Sequence, residues 1–203
     1  MNIYLARHPE TIGNVERRFY GHTDLDITEI GKAQRKLFLD KYSNIDIDVI
    51  YTSPLKRAKD MALMFSKIKN IEVIEDNRLK EICFGDFENK TARQIENTMK
   101  FEWDKFINKD IDDYMFPNGE SPKAFFNRVI DFKNDNFLVD KNQLWICHSG
   151  VIRAVLKDVL ELSNEGQWHF NIPHCGLIHL EYSEGYLLLR GIDNGIEELF
   201  RNE

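Results

Sequence analysis

Cysteine is scarce in this chain of 203 residues. There are three, Cys83, Cys147 and Cys175, and no two form a CxxC pair. An odd, scattered set argues against a disulfide framework or a zinc ribbon and points to a reducing, cytoplasmic setting. Long apolar runs are missing as well. None approaches the roughly 20 residues needed to span a bilayer, and the opening MNIYLARHPE has no basic stretch followed by an apolar block, so no signal peptide is expected. Basic residues are in deficit, 27 against 34 acidic, for a formal charge of −7. That balance argues against nucleic acid or an anionic membrane as a partner. A small anionic substrate stays open if the few cations converge. Repeats, low-complexity tracts and Gly/Ser-rich linkers are also lacking, so a soluble, single domain over 1–203, with room for an insertion, is expected.

What is present suits an ordinary core, with 42% hydrophobic and 12% aromatic residues. Ile3–Ala6 is a short apolar run closed by Arg7-His8-Pro9 and reads as a buried strand. Thr28 is placed to cap a helix to about Tyr42, with Ala33, Leu37 and Phe38 at helical spacing. Asp48 to Thr52 is a second strand closed by Ser53-Pro54, and Pro54 suits the first turn of a helix through Ala58, Ala62 and Phe65. Ile71–Ile74 reads as a strand, and Thr91 to about Ile107 as one charged, aromatic helix. After the turn Phe116-Pro117-Asn118-Gly119, Ser121-Pro122 starts a helix with Phe125, Val129 and Phe132 on one face. Leu144–Cys147 is a strand ending in His148-Ser149-Gly150, and the next helix has a broad apolar surface. Gly176–Glu181 and Tyr186–Arg190 are the last strands. The alternation implies a three-layer α/β fold, a largely parallel sheet flanked by helices. The segment 78–118 breaks the alternation and reads as a mainly helical insertion over one edge.

Three of these strands end in reactive residues: Arg7-His8, then Ser53 to Arg57, then His148-Ser149. Ligands of open α/β sheets sit outside the carboxyl ends of strands. If the three strands are neighbours, two imidazoles and two guanidinium groups converge there. Such a pocket suits a dianionic phosphate, whose oxygens match the Arg fork.

LARHPET with Asn14 behind it resembles the RHGE-type signature of the histidine phosphatase superfamily, which includes the phosphoglycerate mutases and fructose-2,6-bisphosphatase. Arg18, Gly21, Thr28, Gly31 and Gln34 extend the likeness in register. Ser53-Pro54-Leu55-Lys56-Arg57-Ala58 is similar to the family's second arginine motif, Leu79-Lys80-Glu81 with Phe84-Gly85 to its acid-bearing segment, and Cys147-His148-Ser149-Gly150, with Arg153 behind it, to its second histidine motif. The resemblance covers nearly the whole chain in the expected order. It implies the phosphoglycerate mutase-like fold, His8 as the nucleophile, Arg7, Arg57 and His148 as the charge around the phosphoryl oxygens, Glu81 as general acid and base, and substrate contacts from Asn14, Tyr20, Gly21 and Ser149. No metal or cofactor is expected, and the substrate is a small phosphorylated metabolite. Three positions depart from the family pattern: Pro9 stands where Gly is usual and removes an N–H, Met61 where Thr is frequent, and Asp26 where Pro is.

Several of these residues admit a plainer reading. Asn14 and Gly21 could serve turn geometry alone. His169, His174, Cys175 and His179 match no zinc spacing and read as scattered core and pocket residues, and His22 reads as a loop residue. Trp103, Phe106, Phe125 and Phe126 are core aromatics before they are a platform for a bound ring. Leu79–Glu88, Phe116–Ser121 and Trp168-His169-Phe170 resemble the α-ribazole phosphatase branch, which implies removal of the 5′-phosphate from α-ribazole 5′-phosphate or adenosylcobalamin 5′-phosphate in cobalamin assembly. Against this stand a broad sugar or nucleotide phosphatase, a mutase that returns the phosphate to its substrate, and a phosphate-binding module without chemistry. The sequence carries no signal for an oligomeric state.

Overall fold

The structure is a computed structural model that describes residues 1–108, 114–137 and 139–200, apart from the side chains of 197 and 198. Along the chain run β1 (Asn2–Arg7), α1 (Ile12–Val15), β2 (Arg18–Phe19), α2 (Glu29–Tyr42), β3 (Val49–Thr52), α3 (Lys56–Lys69), β4 (Val73–Glu75), β5 (Lys90–Thr91), α4 (Ala92–Thr98) and α5 (Lys100–Asn108). There follow α6 (Pro122–Phe137), β6 (Gln143–Cys147), α7 (Ser149–Val159), β7 (Leu177–Ser183), β8 (Tyr186–Asp193) and α8 (Gly195–Glu198). Six strands form one sheet in the order β4-β3-β6-β1-β7-β8. The pairs β3–β4, β3–β6 and β1–β6 are parallel, whereas β7 and β8 run antiparallel at one side. The sheet is therefore mixed, parallel where the reactive strand ends lie.

Side-chain alternation builds two cores. Ile3, Leu5, Trp145 and Cys147 face Phe125, Val129 and Phe132 of α6 and Val151, Ile152 and Val155 of α7. Ala6, Ile50, Leu144 and Ile146 face Phe38 of α2 and Ala58, Met61 and Phe65 of α3. A strand covered on both faces reads as a continuous apolar run, and all five residues of β6 are buried.

Local chemistry sets the helix starts. The Thr28 side chain accepts the Gly31 N–H at 2.9 Å to cap α2, and Pro122 occupies the first turn of α6, where its missing N–H costs nothing. Two expectations are corrected. Pro54 does not open α3: Leu55 is the extended N-cap and the helix begins at Lys56, because the Ser53-Pro54 turn first carries the chain away from the sheet. The span Thr91–Ile107 is two helices, α4 and α5, broken at Met99, whose φ of −138° and ψ of 41° are not helical. Thr91 caps α4 through a reciprocal pair with Gln94.

The expected insertion, 78–118, includes 109–113, which lie outside the described residues. Its described part has a core of its own. Phe87, Ile95, Tyr114 and Phe116 are buried there, with Phe19, Phe84, Trp103 and Phe106 packed against them. The short ribbon β2–β5 joins this segment to the chain that follows β1. Among the described residues, no helix is long and apolar enough to cross a membrane.

Candidate active site

The register of the sheet brings the reactive strand ends together. Arg7 lies opposite Cys147, and Thr52 opposite Ile146, so His8, His148 and Ser53 emerge from three adjacent parallel strands on one edge. The pairing continues past the strand ends, with His8 N–H donating to Cys147 O at 3.0 Å and Ser53 N–H to Ile146 O at 3.1 Å. The two imidazoles are buried, with ring centroids 5.1 Å apart.

A hydrogen bond fixes the proton on the His8 ring. His8 Nδ1 lies 2.7 Å from Pro9 O. A carbonyl only accepts, so Nδ1 carries the hydrogen and Nε2 keeps its lone pair. Pro9 thus lacks an N–H but supplies the carbonyl that sets the tautomer. His148 Nε2 lies 2.8 Å from Ser53 Oγ, which also accepts the Leu55 N–H at 3.3 Å. His148 Nδ1 is buried and, among the described residues, has no partner. Burial holds both histidines well below the ordinary imidazole pKa; Arg57 and Arg7 lower both further, His148 and His174 add to this at His8, and Arg128 and His22 at His148.

A guanidinium stands on each side. Arg7 donates to Ile172 O at 2.6 Å. Arg57, almost wholly buried in the first turn of α3, donates to Gly21 O at 2.6 Å and Thr23 O at 3.1 Å. Its carbon lies 4.9 Å from the centre of the Tyr20 ring, and its Nε is buried without a partner. Asp24 approaches Arg57 no closer than 3.6 Å, so the charge is only weakly neutralised. A buried guanidinium N–H without a partner suits an anionic guest.

The loop that holds Arg57 is itself held by Glu88. This carboxylate accepts N–H bonds from Gly21 at 2.9 Å, His22 at 2.9 Å, Thr23 at 3.0 Å and Phe84 at 3.0 Å. Gly21 is required by close approach: a Cβ there would sit 1.6 Å from Ile82 O. The Asn14 oxygen accepts from Thr11 N–H at 3.0 Å and Thr11 Oγ at 2.9 Å. Thr11 Oγ, its hydrogen on Asn14, accepts from the Tyr20 hydroxyl at 2.7 Å. Asn14 and Gly21 therefore shape the loop after β1, and Tyr20 forms the wall beneath Arg57. His22 offers its backbone to Glu88.

Glu81 faces this group from the far side. Its carboxylate accepts the Ile82 N–H at 3.0 Å and the Gly150 N–H at 3.1 Å, one residue beyond Ser149 in α7. Glu81, Ser149 and Gly150 line a cleft of about 640 Å³ whose other walls include Phe19, Phe84, Phe116 and Trp168. Phe106, Phe125 and Phe126 reach it too, so the aromatics are core and cleft wall at once. The carboxyl-terminal histidines disperse. His174 lies 6.0 Å from His8, ring to ring, His179 stacks on Tyr4 at 4.7 Å, and His169 closes a short turn after α7.

A family model described as the histidine phosphatase superfamily, branch 1, matches residues 3–194 of this chain. The chain belongs to that superfamily. Phosphoserine phosphatase 1 of Hydrogenobacter thermophilus is 28% identical over 204 residues, covering 98% of this chain and 96% of that protein. A Proteus mirabilis protein named Probable phosphoglycerate mutase GpmB is 26% identical over 193 residues, covering 94% and 89%. The crystal structure of the α-ribazole phosphatase from Shigella flexneri has a TM-score of 0.89 at 24% identity, with 96% of each chain covered, a likeness of fold.

In this histidine phosphatase, three residues at the site carried no role in the sequence reading. Ser53 and Glu88 act only through loops that the fold brings close, and His174 stood among scattered histidines. The turn that carries His174 is tied to β1, with Cys175 N–H on Arg7 O at 3.1 Å, and Cys175 itself is left-handed at φ 54°. Burial, then Arg7, pushes His174 down to about 3.

Proposed function

We propose that this chain is a phosphomonoesterase that works through a phosphohistidine on His8. The observation that carries the reading is a buried imidazole with Nδ1–H fixed by Pro9 O, set among Arg7, Arg57 and His148. In the first step the Nε2 lone pair attacks phosphorus and the ester P–O bond breaks. Charge on the equatorial oxygens is met by Arg7, Arg57 and His148. Glu81 gives its proton to the departing alkoxide. In the second step the ionised Glu81 takes a proton from water, the oxygen attacks phosphorus, and the N–P bond breaks to release inorganic phosphate. Asn14, Tyr20, Gly21 and Ser149 line or shape the phosphate and leaving-group sites.

Rapid quench with substrate, followed by mass spectrometry of acid-labile phosphate, tests this directly. Phosphate is expected on His8, and His8→Ala is expected to remove both the adduct and turnover. Turnover that survives in His8→Ala sinks the mechanism. The positive charge of the site comes from the chain's own side chains, so EDTA is expected to leave turnover within about twofold. A mutase, suggested by the name of one relative, would release phosphate only as a side reaction and depend on a bisphosphorylated primer. Phosphate release measured without primer separates the two.

For the leaving group, α-ribazole 5′-phosphate is the first candidate. The aromatic walls of the cleft suit a planar base, and the sequence blocks resemble that branch. A second reading, an ester of an acidic alcohol such as phosphoserine, is favoured by uncompensated cations on the same wall. A panel of phosphate esters ranks them, and indifference to α-ribazole 5′-phosphate removes the first.

A further inference from the structure

One wall of the aromatic cleft is charged in a way the chemistry at His8 does not use. α7 turns Ser149, Gly150, Arg153, Ala154 and Lys157 into the cleft, a single helical stripe at i, i+1, i+4, i+5 and i+8. Arg153 reaches over the Trp168 ring at 5.0 Å. One of its terminal nitrogens donates to Phe170 O at 3.3 Å, and its Nε is buried without a partner. Lys157 lies 4.8 Å from the centre of the Phe126 ring and donates to Asn164 Oδ1. Lys123 is a third cation on the lining. Among the described residues Glu81 is the only acid on the lining, and its two oxygens already accept Ile82 and Gly150 N–H groups. Among the described residues, neither Arg153 nor Lys157 has an ion pair, although arginines nearby do, such as Arg128 with Glu120 at 2.7 Å.

Glu81 acts on Arg153 through the cleft but forms no ion pair with it, and a half-buried guanidinium without a contacting carboxylate is costly to keep in a fold unless something else answers its charge. We propose that Arg153, backed by Lys157, is a specificity-determining residue that binds a second anionic group, a carboxylate or phosphate carried by the leaving alcohol. Trp168, 5.0 Å from the guanidinium carbon, helps to position it by a cation–π contact. The ligand class is thus a phosphate monoester with an apolar body and a further negative charge. The inference rests on the phosphomonoesterase reading and sides with the second of its two leaving groups.

Four esters test it. Phosphoserine and 3-phosphoglycerate carry a carboxylate on the leaving alcohol; p-nitrophenyl phosphate and α-ribazole 5′-phosphate carry no negative group beyond the phosphoryl. The readout is the ratio of kcat/KM for the acidic esters to that for the uncharged ones. The native enzyme is expected to favour at least one acidic ester, and Arg153→Gln to cut the ratio about tenfold, mostly through KM. Arg153→Lys is expected to restore most of it, and Lys157→Gln to cut it about threefold, which covers the case of an unfolded Arg153→Gln. A native enzyme that prefers the uncharged esters, or variants that lower all four alike, overturns the role of Arg153 alone. Hydrolysis of none of the four, with no phosphohistidine, defeats the reaction itself and this inference with it.

Discussion

His8 attacks only as a neutral ring, and its surroundings keep it neutral. Burial disfavours the imidazolium, and Arg57, His148, Arg7 and His174 add like-charge opposition. NMR titration of the imidazole nitrogens in the free enzyme is therefore expected to find His8 and His148 uncharged through the ordinary imidazole range near 6.5, with His8 as the Nδ1–H tautomer. A His8 that titrates at that ordinary value counts against the proposed nucleophile. The nearness of His8, Arg57 and His148 could be expected from sequence, because each sits in a block at the end of a strand that resembles a family motif. Ser53 and Glu88 could not, since a serine or a glutamate acquires its role only when a distant loop supplies the partner. Ser53 reaches His148 across 95 positions, and no local spacing records that.

The loop between β2 and α2 shows why an element's shape is harder to read than its existence. Its conformation is imposed by Glu88, which gathers four backbone N–H groups and so fixes the carbonyls of Gly21 and Thr23 that hold Arg57. Burial alone would raise the Glu88 pKa, but hydrogen bonds from Thr23, His22 and Phe84 outweigh it and hold the carboxyl below its usual value. Glu88→Gln keeps the shape but loses charge and one acceptor, so it is expected to cost about 2 kcal/mol in denaturant unfolding. It is also expected to raise KM several-fold as Arg57 loosens, and unchanged KM and stability would show that the clamp is idle. Gly21→Ala pushes a methyl into Ile82 O and is expected to be worse on both counts. The α4–α5 pair shows the converse difficulty. Apolar spacing continues across Met99, so the periodicity predicts one helix, and only packing of Phe106 and Trp103 onto Phe87 and Phe19 reveals the bend.

Strand order was the least legible feature of the chain, because β6 enters between β1 and β3 from some 90 residues downstream of β3, and that insertion alone makes the strand ends converge. It also sets a cost. A protein of net charge −7 gathers its site cations around two buried histidines, His8 and His148, and a partly buried one, His174, all with lowered pKa values. A histidine that folds neutral but is free to charge when unfolded leaves the unfolded state binding more protons, so its contribution is present above about pH 6.5 and lost as pH falls below that value. Each such group removes up to about 1.4 kcal/mol per pH unit. The lowered carboxylates Asp76, Glu88 and Asp193 act the same way but only near and below their ordinary values of 3.8 to 4.5, so the window from pH 6.5 to 5 belongs to the histidines. Urea unfolding at pH 7.5, 6 and 5 is expected to show stability falling steeply below pH 6.5, and saturating inorganic phosphate to recover part of it by binding the folded site. A flat profile across that window means that the imidazoles are not held neutral in the fold, and a phosphate effect that persists unchanged in Arg57→Ala means that the anion is held somewhere other than beside His8.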